Sequence, residues 1–233
     1  MDKLSPTLEM DFRTVSPERE GNRIAAGSNS DSASKPAGPP PSALILGGAH
    51  GSLAIARSLG RRGIDVSFAT HDHPLAKYSR YVKRGFSWPG PNDPNAINWL
   101  LAFAACWGGL EGCVLFPGGD AELRLLSQYY DVLAKAFHVA VPAWSITQFA
   151  HDKRLTQQHA QTVGVATPLS LYPKNADDVA KWTGPFPVII KPTVHDVQNA
   201  LTRAKAWRAD NLAMLVARYK EAAALMAPDS IVI

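Results

Sequence analysis

ALILGGAHGSLAIARSLGRRGIDVSFAT, residues 43–70, decides the fold. Its opening run of Ala43, Leu44, Ile45 and Leu46 stops at Gly47 and Gly48. Leu53, Ile55, Ala56 and Leu59 then recur at helical spacing, Gly63 closes the helix, and IDVSFAT is a second apolar run. Strand, tight turn, helix and strand follow one another in a βαβ unit of about the smallest size that permits a right-handed parallel crossover.

The same alternation continues outward. YVKRGFSW (81–88) reads as a strand, residues 95–107 as a helix, and GCVLFPG (112–118) as a buried strand running into a loop. Leu123, Leu126, Tyr130 and Leu133 mark a helix over residues 121–136, and HVAVP (138–142) is a fifth strand. Five strands alternating with helices predict an α/β domain with a doubly wound parallel sheet over residues 43–143. Upstream, residues 1–42 are rich in Ser, Pro, Gly and mixed charge and end in AGPPPS, the composition of a disordered leader.

From Trp144 the texture changes. HDKRLTQQHAQTVGVATP (151–168) has the pattern of a polar-faced helix ended by Gly164, with Pro168 beyond it. LSLYP (169–173) reads as a strand, residues 176–182 as a helix, and FPVIIKP (186–192) as an apolar strand whose last strand residue is Lys191. Residues 193–210 are poorly patterned, residues 211–226 are helical, and DSIVI (229–233) begins a strand without a partner, which predicts a truncated second domain over residues 144–233.

With 233 residues of which 46% are hydrophobic, the chain has ample material for packed cores. A net charge of +4 and a pI near 9.1 suit anionic ligands, but the charge is dispersed, which excludes a nucleic-acid partner. Cys106 and Cys113 lie among apolar residues and are expected to be buried free thiols of a reducing compartment. No stretch reaches the roughly 18 apolar residues of a membrane span, and no secretory signal opens the chain, so a cytoplasmic protein with no membrane partner is expected.

Three groups of residues could carry chemistry. Gly47, Gly48 and Gly51, with His50, stand where the first strand enters its helix; glycines there serve a tight turn, or let backbone N–H groups approach a small anionic ligand. The dinucleotide fingerprint is not met by GGAHGS, and FATHDH (68–73) places Thr70 and His71 where a ribose-binding acid would stand. In FPGGDAEL (116–123), Gly118, Gly119 and Asp120 open a helix at another strand end. Asp120 either caps that helix or faces, with the Gly48 loop, a substrate crevice beyond the strand ends. Lys153 and Lys191 are the third group: Lys191 ends an apolar strand, where its ammonium must reach water or an anion such as polyphosphate. The run THDH (70–73) lacks a metal-ligand set, and no metal ligand is assigned.

HDKRLTQQHAQTVGVATP followed by PVIIKP resembles the start of an ATP-grasp domain, as found in carboxylate–amine ligases and the carbamoyl-phosphate synthase group. GGAHGSLAIARSLGRRGIDV and VLFPGGDAELRLL resemble the Rossmann-like pre-ATP-grasp domain that precedes it. The resemblance covers residues 43–233 and implies that Lys153 and Lys191 contact ATP phosphates; Gly48, His50, Gly51, Gly119 and Asp120, at the strand ends, are the expected substrate residues. It further implies Mg2+, a small-molecule carboxylate activated as an acyl phosphate, and an amine that attacks it. No glycine follows Lys191 in TVHDVQNALTRAKAW (193–207) to close over phosphates, and the magnesium ligands are expected beyond residue 233, so the chain by itself is expected to be weakly active or inactive. A non-catalytic nucleotide or small-acid binding module and a Rossmann-type NAD/FAD oxidoreductase are the alternatives. A homodimer is neither required nor excluded.

Overall fold

The computed structural model describes residues 42–106, 113–194 and 199–233; of the predicted leader over residues 1–42, residues 1–41 lie outside them and Ser42 begins the first strand. The chain divides into two units at Ala143 and Trp144.

In unit 1, β1 (Ser42–Leu46), α1 (His50–Gly60), β2 (Asp65–Thr70), a 3₁₀ turn (Pro74–Tyr78), β3 (Val82–Ser87), α2 (Ala96–Cys106), β4 (Val114–Pro117), α3 (Asp120–Gln128), α4 (Tyr130–Leu133) and β5 (His138–Val139) follow in order. All strand pairs are parallel, in the order β3-β2-β1-β4-β5. Leu46 stands opposite both Ala69 and Pro117, so β1 is the central strand and the connection reverses direction between β1 and β4.

A parallel sheet needs cover on both faces, because its crossovers lay helices on each. Leu44 and Leu46 point into a cluster with Trp99, Leu100 and Phe103 of α2 and Leu125 and Leu126 of α3, whereas Ile45 joins Val66, Phe68 and Ala56 of α1 on the other face. Phe86 meets Phe103 edge-on at 4.7 Å, and Trp99 stacks on Phe103 at 5.2 Å. Each fully buried side chain of this size contributes roughly 1.5–3 kcal/mol of transfer free energy.

Several expectations for unit 1 are corrected. The helix foreseen over residues 121–136 is two helices, broken at Tyr129 (φ −105°, ψ 23°), a bridge-region conformation that interrupts the ladder. Asp120 does not cap α3: Gly119 occupies the N-cap without a side-chain hydrogen bond, and Asp120 is the first helical residue. Cys113 is buried as expected, but Cys106, the last residue of α2, is exposed. Burial pushes the Cys113 thiol up from its ordinary range.

Unit 2 contains α5 (Trp144–His151), α6 (Lys153–Thr162), α7 (Ala176–Ala180), β6 (Val188–Pro192), α8 (Ala200–Ala204), β7 (Trp207–Ala209), α9 (Leu212–Ala223), a 3₁₀ turn (Pro228–Ser230) and β8 (Ile231–Val232). Its antiparallel sheet has the order β7-β6-β8. Helix starts carry side-chain caps: Asp152 accepts from the Arg154 N–H at 2.8 Å, Asn175 from Asp178, and Asn211 from Met214. Asn199 and Thr202 form a reciprocal capping box on α8. Val188 and Ile190 pack with Leu215, Tyr219 and Ala222 of α9 and with Leu201 and Val179.

Here β6 is covered on one face only. Val188, Ile190 and Pro192 are buried while Ile189 and Lys191 are exposed, so the apolar strand alternates in burial, and it ends at Pro192, one residue beyond the expected Lys191. The segment at 193–210 that lacked a pattern supplies α8 and β7, and a helix precedes Lys153 that was not anticipated. LSLYP does not form a strand, although Leu171 exchanges both backbone hydrogen bonds with Ile233 at 2.9 and 3.0 Å. The strand at residues 231–232, expected to lack a partner, pairs with Lys191 and Pro192 of β6.

Candidate functional site

In unit 1 the loops leaving β1 and β4 meet because those strands are neighbours. Gly118 N–H donates to Leu46 C=O at 2.7 Å, and Gly47 N–H to Ala69 C=O at 2.8 Å. Gly47 and Gly48 have φ of +59° and +71°, and a Cβ at Gly48 would overlap the Gly118 carbonyl. A Cβ at Gly118 would in turn overlap the Gly47 carbonyl and the Ser52 hydroxyl, which donates to that carbonyl. Gly51 is under no such demand, its nearest approach being 3.5 Å from the Gly118 oxygen. The predicted residues Gly48, His50, Gly51, Gly119 and Asp120 therefore gather at the switch point of the sheet, where α1 and α3 both begin without a capping side chain.

Glu122, in the first turn of α3, is a residue that the sequence reading did not single out. It is 4% exposed, and its carboxyl lies against Gly47 and Gly119. Loss of hydration there raises its pKa above the usual carboxylate range, against the opposing pull of its own backbone N–H and of His71. Its place three residues after a strand-end glycine pair, in the first turn of a helix whose neighbours are leucines, was the available signal. Beside it, burial pushes the Asp72 carboxyl up, but the His73 backbone N–H (2.6 Å), the Thr70 hydroxyl and the two flanking imidazoles outweigh burial and hold it low. His71 and His73 stand on opposite oxygens of Asp72, at 3.8 and 3.7 Å. Among the described residues no group of three or more His, Cys, Asp or Glu side chains could hold a metal ion.

In unit 2, Lys153 and Lys191 line one cavity of about 620 Å³. Lys153 is the first residue of α6, placed by the Asp152 cap, and its backbone N–H and its Nζ both donate to the Thr193 carbonyl, at 3.3 and 3.1 Å. Lys191 projects from the uncovered face of β6, two residues along from Ile189, a separation of about 7 Å. The cavity changes character along that strand: Leu169, Trp182, Pro185, Pro187 and Ile189 give an apolar wall, and the lysines give a cationic end. Tyr172 closes one side, donating to Gln157 Oε1 at 2.7 Å, while Gln157 donates to the Pro168 carbonyl at 3.0 Å. Burial raises the Tyr172 pKa, and the nearby Asp152 adds to the rise. An apolar slot ending in two ammonium groups fits a planar base joined to a polyphosphate.

No family model matches the sequence, and no curated protein does. Solved structures do match. An L-amino acid ligase from Bacillus licheniformis superposes with a TM-score of 0.62 at 16% identity over 80% of this chain and 42% of its own. A carboxyaminoimidazole ribonucleotide synthase from Aspergillus clavatus, complexed with ATP, does so at 0.56 and 15% identity over 83% of this chain and 46% of its own. The biotin carboxylase domain of the Hydrogenobacter thermophilus 2-oxoglutarate carboxylase, in complex with MgADP, ADP and bicarbonate, gives 0.51 and 16% over 81% and 43%. The chain thus spans less than half the length of these structures. The five-stranded parallel sheet and the small antiparallel sheet that follows it share the fold of the matched portion of these ligase and synthase structures.

Proposed function

We propose that this chain is the N-terminal portion of an ATP-dependent carboxylate–amine ligase, in which unit 2 holds the nucleotide and unit 1 contributes to the acid or amine site. The observation that carries this reading is the shared cavity of Lys153 and Lys191, one cation delivered by a helix start and the other by a strand. In such a ligase ATP supplies the phosphoryl group that activates a small-molecule carboxylate for attack by an amine. The part of this chain is to bind: the lysines neutralise phosphate oxygens that would otherwise repel an incoming carboxylate, and the apolar wall takes the base. The ligands of Mg2+ are not assigned to any described residue. The switch-point loops of unit 1, with Gly48, His50, Gly51, Gly119 and Asp120, are where a small substrate would bind, since open parallel sheets receive ligands beyond the carboxyl ends of their strands. A cytoplasmic location accords with this reading, and no helix among the described residues is long and apolar enough to cross a membrane.

Titration of the 233-residue chain with a fluorescent ATP analogue tests the nucleotide assignment. Each of Lys153→Met and Lys191→Met should weaken binding by roughly tenfold to a hundredfold, the worth of one charge-assisted hydrogen bond. Stability should stay within about 0.5 kcal/mol for Lys191→Met, whose side chain is exposed, and fall by about 0.5–1.5 kcal/mol for Lys153→Met, which loses the hydrogen bond to the Thr193 carbonyl. Unchanged affinity in the double variant would remove the reading.

A further inference from the structure

We propose that unit 1 carries a second anion site, for a small phosphorylated molecule, formed by Arg57, Arg61 and Arg80 with Ser79, Tyr78 and Tyr81. These six residues line a cavity of about 400 Å³. Arg57 and Arg61 are one helical turn apart at the end of α1, and residues 78–81 lead into β3. Since α1 runs back from the carboxyl ends of the strands, this cavity lies at the amino-end rim of the sheet, away from the Gly48 and Gly119 loops.

Three observations converge there. A Cβ at Gly60 would overlap the Tyr81 ring, so the bare backbone of α1 lets that ring lie against the helix and brings Arg80 beside the two helical arginines. The Arg80 guanidinium sits 5.5 Å from the centroid of the Tyr81 ring, within cation–π range. Among the described residues no acidic side chain pairs with Arg57, Arg61 or Arg80.

The ordinary role of basic residues at a helix end, satisfying its last carbonyls, is already taken by Arg62, which donates to the Ser58 carbonyl and hydroxyl at 2.9 and 3.0 Å. That role would also not recruit Arg80, which belongs to another element. Three like charges around one concavity repel until an anion enters, and the planar donor fork of arginine matches phosphate oxygens two at a time. Tyr78, 73% exposed beside them, adds a phenol donor and an aromatic face for the organic part of a phosphate ester.

Calorimetric titration of pyrophosphate into the full chain carrying Lys153→Met and Lys191→Met isolates this site from the cavity of unit 2. One equivalent should bind, with affinity reduced at least tenfold by Arg57→Gln with Arg80→Gln, largely kept by Arg57→Lys with Arg80→Lys, and falling steeply with added salt. No binding by the double methionine parent, or equal binding by the glutamine pair, would overturn the proposal. Should the glutamine pair melt early, Arg80→Gln alone, outside the helix, decides by the same tenfold criterion.

Discussion

β1 and β6 are both apolar strands at the centre of a sheet, yet they put their side chains to different use. Leu44, Ile45 and Leu46 of β1 are all fully buried, because α1 covers one face and α2 with α3 the other. Ile190 of β6 is fully buried while Ile189, its neighbour, is 48% exposed, because α9 and its companions cover only one face. A sheet packed on both sides can offer a ligand only its ends, so the candidate crevice of unit 1 is made of loop backbone and helix starts. A sheet packed on one side can offer the strand's own side chains, and Lys191 reaches the cavity of unit 2 from the middle of the fold.

The largest way to break this comparison is Phe68→Ala. It empties a fully buried position of the doubly covered sheet and should cost unit 1 about 3–5 kcal/mol, read from denaturant unfolding combined with hydrogen exchange of each unit's amides. Protection in unit 2 should be unaffected; equal loss in both would mean that the units do not keep separate cores. A sharper, smaller contrast lies within β6. Ile190→Ala should cost about 2–5 kcal/mol and Ile189→Ala less than about 1 kcal/mol, with the latter instead weakening binding of the ATP analogue; comparable destabilisation by both would deny that the strand is one-sided.

The smallest effect concerns the strand ends of unit 1. Burial raises the folded-state pKa of Glu122 above its ordinary value of 4.5, so the fold favours the neutral acid. The resulting stabilisation is complete below pH 4.5 and is lost as the pH rises through the elevated folded value. Glu122→Gln, neutral throughout, should therefore gain on the parent as the pH is raised from 4 to 8. A parallel pair of unfolding-midpoint curves would show that the carboxyl is not desolvated.

How much of this was legible depended on how strongly each segment announces its environment. The strands of unit 1 could be read because two-sided burial demands continuous apolar runs, and glycines end them. In unit 2 the signals are weaker: β7 has three residues, α8 has five, and the Asn199 and Thr202 box is a polar pair with no apolar stripe to support it. LSLYP has the composition of a strand, but only Leu171 finds a backbone partner, in Ile233, and propensity without a ladder does not make one. Lys153 and Lys191 were found through a resemblance and through the oddity of a lysine on an apolar strand. The apolar wall of their cavity was not, because Leu169 and Trp182 look like core residues until the fold leaves a face uncovered. Glu122 escaped for the opposite reason: an acid in a first helical turn looks solvated, and only the approach of the Gly47 and Gly119 backbones shows that it is not.

The interlock of Gly48 with Gly118 bears on any effort to reshape the crevice of unit 1. Two main chains in direct contact leave no room for a library at either position, so diversity introduced there would be spent on misfolded chains. If the proposed substrate site is there, His50 and Asp120, both exposed at helix starts, are the positions to vary while the loops themselves keep their shape.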